Sequence, residues 1–221
     1  MGARLSALAG EDEAMVVQAR IDHGGLSLEE VDSSEIDVLI DFSSSAQAEA
    51  SAAWCAKHGV ALVLGTTGLS ASQWDKIDQA AEHVPIVAAP NFSVGVNALF
   101  ALAGELATML GPDFDLEMVE AHHKHKVDAP SGTAVRLLEV LQEAREGLKP
   151  LYGREGLVGA RTSEEIGMSV IRGGDVVGEH SVLYLAEGER IELTHRASDR
   201  DIFARGALRA AKWLVHAPRK A

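Results

Sequence analysis

The first part of the chain alternates short apolar runs with helical stretches. Four apolar runs predict strands, and they lie at Met15–Ile21, Ile36–Phe42, Val60–Leu64 and Pro85–Ala88. The second run is almost continuously apolar, which is typical of a parallel strand buried on both faces. Helical stretches fall between the runs, one of them capped by Ser43–Ser45 and another at about 72–82. This rhythm predicts an α/β fold with a doubly wound parallel sheet.

The rhythm changes after Phe92, and a second domain is predicted to begin near Ser93. The pattern then predicts helices at about 97–110, 131–146 and 199–215, a strand at Asp115–Ala121 and a loop at 147–162. Three segments alternate apolar and polar residues as half-exposed antiparallel strands do, at 166–174, 178–188 and 189–197. The second domain is therefore predicted to be α+β, with a mixed, largely antiparallel sheet.

Composition narrows the classes of partner. The 221 residues include 20 Lys and Arg against 33 Asp and Glu, a net charge of −13 that disfavours a nucleic-acid surface. No run approaches the roughly 18 uninterrupted apolar residues of a membrane span, and the first residues do not resemble a secretory signal. The single cysteine, Cys55, has no partner for an internal disulfide, and we expect it to be structural. We therefore expect a cytoplasmic protein that binds neither nucleic acid nor membrane.

The densest chemical signal is the segment EAHHKHKVDAPSGT at 120–133, with three histidines and two lysines in five consecutive positions. Side chains alternate across a strand, so His122 and His123 would point to opposite sides, whereas His122 and Lys126 could converge once the chain turns. Histidine exchanges a proton near neutral pH, and lysine supplies a charge or a proton. The helix predicted to open at Ser131–Thr133 offers backbone N–H groups to a carboxylate or phosphate. The segment therefore predicts a pocket for a small anion.

Simpler explanations of these residues stay open at this point. The histidines could form a solvated polar loop, and Ser131–Thr133 could be a plain helix cap. A metal site formed by the three histidines is disfavoured, because the neighbouring lysines would repel a divalent cation, and we predict no metal. Gly65–Gly68 and Asp22 each follow or end a predicted strand, where open α/β sheets bind ligands. Taken alone, Gly65–Gly68 could be an ordinary turn and Asp22 an ordinary acidic residue at a strand end. Their placement together suggests a dinucleotide-binding site.

These segments resemble a known family. EAHHKHKVDAPSGTA, at 120–134, is closely similar to the signature segment of the dihydrodipicolinate reductases. Further similar segments follow in the family's order: VLIDFSS at 38–44, GTTG at 65–68, APNFSVGVN at 89–97, RGGDVVGEHSVLYLAEGERIELTHRA at 172–197 and FARGALRAAKWL at 203–214. Together they cover most of the chain, so the resemblance is specific.

The resemblance implies a reductase with two domains. A Rossmann-like dinucleotide-binding domain would comprise residues 1–92 with 204–221, and a substrate-binding and oligomerisation domain would comprise 93–203. The implied reaction is the reduction of 4-hydroxy-tetrahydrodipicolinate (dihydrodipicolinate), a small dicarboxylate, to tetrahydrodipicolinate in the diaminopimelate route to lysine. NADH or NADPH would supply a hydride to a ring carbon, and an acid of the protein would supply the proton. The implied assembly is a homotetramer.

The resemblance also implies roles for individual residues. His122 would be the acid/base histidine and Lys126 the proton donor. The substrate would be bound by His123, Lys126, Ser131, Gly132 and Thr133. The cofactor would be bound by Asp22, His23, Gly65, Thr66, Thr67, Ala89, Pro90, Asn91 and Phe92.

The chain departs from the family's pattern at its beginning. Family members start with a strand and a glycine-rich loop, of which only the last residues resemble Met1–Arg4 here. Loss of that strand would leave its two neighbours unpaired, and loss of the loop would remove amides that cradle a pyrophosphate. We therefore expect the natural protein to start upstream, and a longer chain that is no more stable or active would contradict this. His23 stands where an arginine that favours NADP often lies, so the choice between NADH and NADPH is open.

Two other functions compete with this reductase function. A non-catalytic relative that has lost cofactor binding is favoured by the missing glycine-rich loop, but the retention of His122, His123 and Lys126 opposes it. Another Rossmann-type reductase, such as an aspartate or homoserine dehydrogenase, would also act on a small anion. Enzymes of that kind lack the HHKHK and PSGT segments.

Overall fold

The structure is a computed structural model that describes residues 1–22 and 25–216. The chain divides into two compact units. The first unit contains residues 1–93 and the C-terminal segment from Asp201, and the second contains Val94–Arg200. His23, which is predicted to bind the cofactor, lies outside the described residues.

The first unit is built on a three-stranded parallel sheet. Its strands, in order across the sheet, are β1 (Val38–Asp41), β2 (Ala61–Leu64) and β3 (Ile86–Ala88). Its helices are α1 (Gly2–Gly10), α2 (Ser45–His58), α3 (Ala71–Ala81) and α6 (Asp201–His216). Alternate residues of β2 belong to two cores, because Ala61 and Val63 pack with α1 and α6 while Leu62 and Leu64 pack with α2 and α3. Helices therefore cover both faces, which confirms the predicted doubly wound α/β arrangement.

The predicted strand Met15–Ile21 is wrong. These residues join no ladder, and an isolated bridge pairs Ile21 with Leu26. Val16 is 79% exposed, although its side chain is apolar. A strand is stabilised by pairing and by burial of alternate side chains, and within residues 1–22 and 25–216 no strand pairs with this segment. Its apolar sequence alone is therefore insufficient to make it a strand.

A close contact fixes α6 on the segment that follows β3. A Cβ atom at Gly206 would lie 1.7 Å from the carbonyl oxygen of Phe92. The Phe92 side chain is buried, and its ring packs against Phe42 with the ring centroids 5.5 Å apart. Arg4 of α1 holds the start of α6 through an ion pair with Asp201. Backbone, aromatic and charged contacts thus all position this helix.

The second unit packs two helices on one face of a five-stranded mixed sheet. The strand order is β5-β6-β4-β7-β8. The strands are β4 (Asp115–His122), β5 (Lys149–Tyr152), β6 (Glu165–Arg172), β7 (Gly178–Ala186) and β8 (Glu189–Ala197), and the helices are α4 (Val94–Leu110) and α5 (Gly132–Ala144). One face of the sheet forms the core with both helices, where the hydroxyl of the buried Tyr184 donates to the carbonyl of Ala103 at 2.8 Å. The mixed sheet confirms the predicted α+β character.

Two details of the predicted sheet are corrected. The segment 166–174 is not antiparallel, because β6 runs parallel to both β4 and β5. The predicted loop 147–162 contains β5. Alternation of apolar and polar residues shows that one face of a strand is exposed, but it carries no information about the direction of the neighbouring strand.

Among the described residues, one helix, Val94–Asp113, is long and apolar enough to cross a membrane. One side of this helix is used within the fold, since Leu99, Ala103 and Ala107 belong to the core of the second unit. The helix therefore has a packing role that accounts for these apolar residues, and length and composition are weak evidence for a span.

Candidate active site

The buried face of β4 ends in two polar residues. Even-numbered residues of this strand point into the core, where Leu116 and Met118 are followed by Glu120 and His122. Glu120 is 1% exposed and His122 is 9% exposed. A buried carboxylate is costly unless it is hydrogen-bonded and paired with charge, so the partners of Glu120 define the site.

Four N–H groups surround the Glu120 carboxylate. Its Oε1 atom accepts from the backbone N–H of Ser131 at 3.0 Å and from Arg172 at 2.8 Å. Its Oε2 atom accepts from Arg172 at 2.9 Å and lies 2.5 Å from Nδ1 of His122. Burial raises the pKa of Glu120, but the hydrogen bonds of Arg172, His122 and Ser131 together outweigh burial and lower that pKa. Glu120 is therefore a carboxylate anion at neutral pH.

His122 packs edge to face against a second buried histidine, His180, with the ring centroids 5.2 Å apart. The His180 Nε2 atom lies 3.1 Å from the Ser131 hydroxyl, which also accepts from the N–H of Ala134 and so caps α5. Burial is the largest influence on both rings and lowers the pKa of each, to about 4 for His180. For His122 the Glu120 carboxylate opposes this effect, whereas the charges of Lys126 and Arg172 reinforce it.

The neutral state of His180 predicts a loss of stability in acid. Its pKa falls from 6.5 to about 4 on folding, so between these values the unfolded chain binds a proton that the folded chain does not. The contribution of neutral His180 to the free energy of unfolding is complete above about pH 6.5. As the pH falls towards 4 this contribution is lost, by up to about 1.4 kcal/mol per pH unit. Urea unfolding at pH 7 and pH 5 should show this loss, and His180→Gln should show a smaller one. Equal losses in the two proteins would contradict the assignment.

The turn after β4 carries the predicted lysine. The N–H of Lys126 donates to the carbonyl of His123 at 3.1 Å, and its ammonium group lies 2.8 Å from Oδ1 of Asp128. Arg172 also donates to the carbonyl of Asp128 at 2.7 Å, which ties the turn to Glu120. The positive charge of Lys126 lowers the pKa of His122, so the predicted convergence of these two side chains stays a prediction.

The predicted substrate residues lie along this turn and at the start of α5. His123 Nε2 is 3.0 Å from a guanidinium nitrogen of Arg200, which adds a cation to the group. Ser131 is 2% exposed and its N–H and hydroxyl already have partners, so a ligand would meet Gly132 and Thr133 before Ser131. No atom lies within 4 Å of the position that a Cβ of Gly132 would take. The start of α5 therefore has room for a ligand beside Gly132.

The same buried cluster has the spacing of a metal site, because ligand atoms of Glu120, His122 and His180 lie within 4.8 Å of one another. The chemistry of the donors disfavours a cation. Arg172 occupies both carboxylate oxygens of Glu120, and Nδ1 of His122 faces one of them. A divalent ion would have to displace a guanidinium that already neutralises this carboxylate.

In the first unit, the predicted cofactor residues follow adjacent strand ends. The register places Asp41, Leu64 and Ala88 side by side, so Gly65–Thr67 and Ala89 leave the same edge of the parallel sheet. Asp41 is 5% exposed, and its Oδ1 atom accepts from the hydroxyl of Thr66 at 3.2 Å and from the N–H of Ser43 at 2.7 Å. Its Oδ2 atom is buried without a hydrogen-bond partner. This edge fits a ligand that offers a hydrogen-bond donor.

Other predicted cofactor residues differ in exposure. Pro90 and Asp22 are exposed, and the carbonyl of Asp22 accepts from the N–H of Gly25 at 3.0 Å. The side chain of Asn91 accepts from the N–H of Ser93 at 2.8 Å, and the Phe92 ring is part of the core. The Phe92 side chain therefore supports this edge from inside.

Sequence reasoning gave no individual role to Glu120, Arg172, His180 or Arg200. A local signal was present for Glu120, because residues 120 and 122 lie on one face of a strand. Arg172 and His180 reach the site through the sheet register, in which β6 places Arg172 opposite His122 and β7 places His180 opposite Glu120.

Comparisons with known proteins agree on one family. The model of "Dihydrodipicolinate reductase, N-terminus" matches residues 1–92, and that of "Dihydrodipicolinate reductase, C-terminus" matches residues 95–221. A curated 4-hydroxy-tetrahydrodipicolinate reductase of Myxococcus xanthus is 56% identical over 187 residues, which cover 84% of this chain and 69% of the relative. One of Psychrobacter arcticus is 48% identical over 221 residues, which cover 96% of this chain and 78% of the relative.

A solved structure supports the same assignment. It is described as dipicolinate-bound dihydrodipicolinate reductase from Paenisporosarcina sp. TG-14, and it matches with a TM-score of 0.78 and 25% identity. The match covers 98% of this chain and 91% of that one. The chain therefore belongs to the dihydrodipicolinate reductase family, and it is a pyridine-nucleotide-dependent oxidoreductase of lysine and diaminopimelate biosynthesis.

Proposed function

We propose that His122 and Lys126 carry out the proton transfer in the reduction of 4-hydroxy-tetrahydrodipicolinate, and that the start of α5 holds its carboxylates. The observation that carries this proposal is the buried Glu120–His122 pair beside the start of α5, where space is open next to Gly132. The 4-hydroxyl group of the substrate leaves as water and a ring double bond results, and reduction of that bond needs a hydride at one atom and a proton at its neighbour. A histidine and a lysine side by side supply the proton and balance the anionic substrate.

The substrate would bind through charge and backbone N–H groups. The N–H groups of Gly132 and Thr133 at the positive end of α5, together with His123 and Lys126, form a set of donors for a carboxylate. Arg200, held beside His123, adds a positive charge to this set. A small dicarboxylate therefore fits this unit better than a neutral substrate.

The pyridine nucleotide would be held by the strand ends of the first unit. Gly65, Thr66 and Thr67 would line it from β2 and Ala89–Phe92 from β3, and Asp22 and His23 would meet the ribose. When bound, NADH or NADPH supplies the hydride. The Asp41–Thr66 hydrogen bond at 3.2 Å would keep the Gly65–Thr67 loop in position. We therefore propose the first unit as the cofactor-binding domain and the second as the substrate-binding domain.

A homotetramer formed through the open face of the mixed sheet, in the cytoplasm, is part of the proposal. That face carries Val119, Ile171 and Leu183 away from the helices, and Ile171 is 53% exposed. Exposed apolar side chains on an open sheet face can contribute to self-association, and this face also carries the ion pairs of Glu117 with Arg154 and Arg161. Light scattering should give about four times the chain mass of 23.4 kDa. A monomer at micromolar concentration would contradict the tetramer.

The experiment that tests the function is a coupled assay. Dihydrodipicolinate synthase supplies its product to the purified chain, and oxidation of NADH or NADPH is followed by absorbance. We expect oxidation only when the synthase is active, and the ratio of kcat/KM for the two nucleotides ranks them. Failure with both nucleotides, in a chain that is folded but binds neither of them, would favour the non-catalytic alternative.

A further inference from the structure

We propose that Glu120 is a positioning residue for His122: held by Arg172, its carboxylate fixes the Nδ1–H tautomer of the imidazole and reserves Nε2 for proton exchange. This inference rests on the role of His122 in the proposed function. It adds a reason why a buried carboxylate and a half-buried guanidinium lie behind His122.

Glu120 is fixed from several directions. Arg172 binds both carboxylate oxygens, and the same guanidinium donates to the carbonyl groups of Ile171 and Asp128 at 2.8 and 2.7 Å. The N–H of Ser131 closes the remaining side at 3.0 Å. A carboxylate held by this many donors cannot rotate away from His122 without leaving a buried donor unpaired.

The charge of Glu120 decides which nitrogen of His122 carries the proton. An ionised carboxylate only accepts hydrogen bonds, so the Nδ1 atom at 2.5 Å from Oε2 must be the protonated nitrogen. In the neutral ring the lone pair then lies on Nε2. The opposite tautomer would place two lone pairs against each other in a buried site.

The Nε2 atom of His122 lies next to a residue without a side chain. It faces Gly178 at the start of β7, where a Cβ atom would lie 3.0 Å away. His180 packs across the ring with an interplanar angle of 74° and thereby restricts its rotation. The ring is thus oriented by Glu120 on one edge and by His180 on its side, and Gly178 keeps the Nε2 edge clear of side-chain atoms.

Four ionisable groups face His122, and they predict the direction of a pH effect. These groups are Glu120 on its own strand, Lys126 in the following turn, Arg172 on β6 and His180 on β7. Of the three charged groups, Glu120 raises the pKa of His122 and the two cations lower it. Removing the Glu120 charge should therefore lower the pKa of His122 further and increase the share of the Nε2–H tautomer.

The test is Glu120→Gln, which keeps the shape of the side chain and removes its charge. We expect kcat to fall about 10- to 1,000-fold, because His122 loses its preferred tautomer. The change in KM should be smaller, because the groups that bind the substrate carboxylates remain. The limb of the kcat–pH profile that reports His122 should move to lower pH. In ¹⁵N-histidine spectra, His122 should be an Nδ1–H tautomer in the native chain and a mixture in the variant.

Glu117→Gln is the matched control. Glu117 lies on the same strand, is also paired with arginines, Arg154 and Arg161, and points to the opposite face. This variant should leave the His122 spectrum and the position of the pH limb unchanged. The same tautomer shift in both variants would overturn the proposal, because it would show a general effect of losing a charge from β4.

A second variant covers the case in which Glu120→Gln does not fold. Glu120→Asp keeps the charge and shortens the side chain, so it should lower kcat while preserving the Nδ1–H tautomer and the position of the pH limb. A native tautomer and an unmoved limb in folded Glu120→Gln would contradict the proposal, as would loss of the tautomer in Glu120→Asp. The spectra need no turnover, so they separate failure of this inference from failure of the proposed function.

Discussion

Lys126→Ala should lower kcat about 100- to 10,000-fold and leave the fold intact. The side chain of Lys126 ends in an ion pair with Asp128 and does not belong to the hydrophobic core of the second unit, so its replacement leaves that core intact. It would remove the proposed proton donor and a positive charge beside His122. Turnover in the coupled assay, with circular dichroism as a check of the fold, measures the effect.

Lys124→Ala is the control for this prediction. Lys124 lies two residues away in the same turn, is exposed, and carries the same charge. Its replacement should change kcat by less than about threefold, a small effect on the scale of proton-transfer catalysis. Equal activity of Lys126→Ala and the native chain would remove Lys126 from the mechanism.

Gly206→Ala should destabilise the first unit by about 2–4 kcal/mol. Alanine normally stabilises a helix interior by up to about 1 kcal/mol relative to glycine, so a helix-propensity argument predicts the opposite sign. Steric overlap determines the sign of the effect, because a Cβ at Gly206 would lie 1.7 Å from the Phe92 carbonyl oxygen. A backbone atom cannot move away as the end of a flexible side chain can. The helix α6 must therefore move away from its core.

Gly10→Ala provides the comparison in the same unit. Gly10 ends α1, and no atom lies within 4 Å of the position that its Cβ would take. Urea unfolding should give a free energy of unfolding for Gly10→Ala within about 0.5 kcal/mol of the native chain. A Gly206→Ala variant as stable as Gly10→Ala would show that α6 does not depend on this contact.

The parts of the fold that were predictable are those encoded in neighbouring residues. The runs Ile36–Phe42 and Val60–Leu64 contain β1 and β2, since continuous apolar sequence is what a sheet covered on both faces requires. Met15–Ile21 has an equally apolar pattern but, among the described residues, no strand to pair with. The predicted direction of β6 was wrong for a related reason. The direction of a strand is set by its neighbours in the sheet and not by the alternation of apolar and polar residues along its own sequence.

The candidate site divides in the same way. His122, Lys126 and Gly132 lie within one short segment, so their spacing predicts that they could converge, and the family resemblance adds their roles. Arg172 is 52 residues from Glu120 and meets it only because β6 lies beside β4. A strand register cannot be derived from one sequence, since it depends on which strands become neighbours. Arg172, the charged partner of Glu120, was therefore out of reach of sequence reasoning.

The most direct measurement of the central claim follows the transferred hydride. The chain is incubated with active dihydrodipicolinate synthase and with NADH or NADPH carrying deuterium at both positions of nicotinamide C4, and the product is examined by mass spectrometry. We predict tetrahydrodipicolinate with one deuterium for each nucleotide oxidised, and none without the synthase. Oxidation of the nucleotide with no deuterium in the product would contradict reduction of this substrate by the chain.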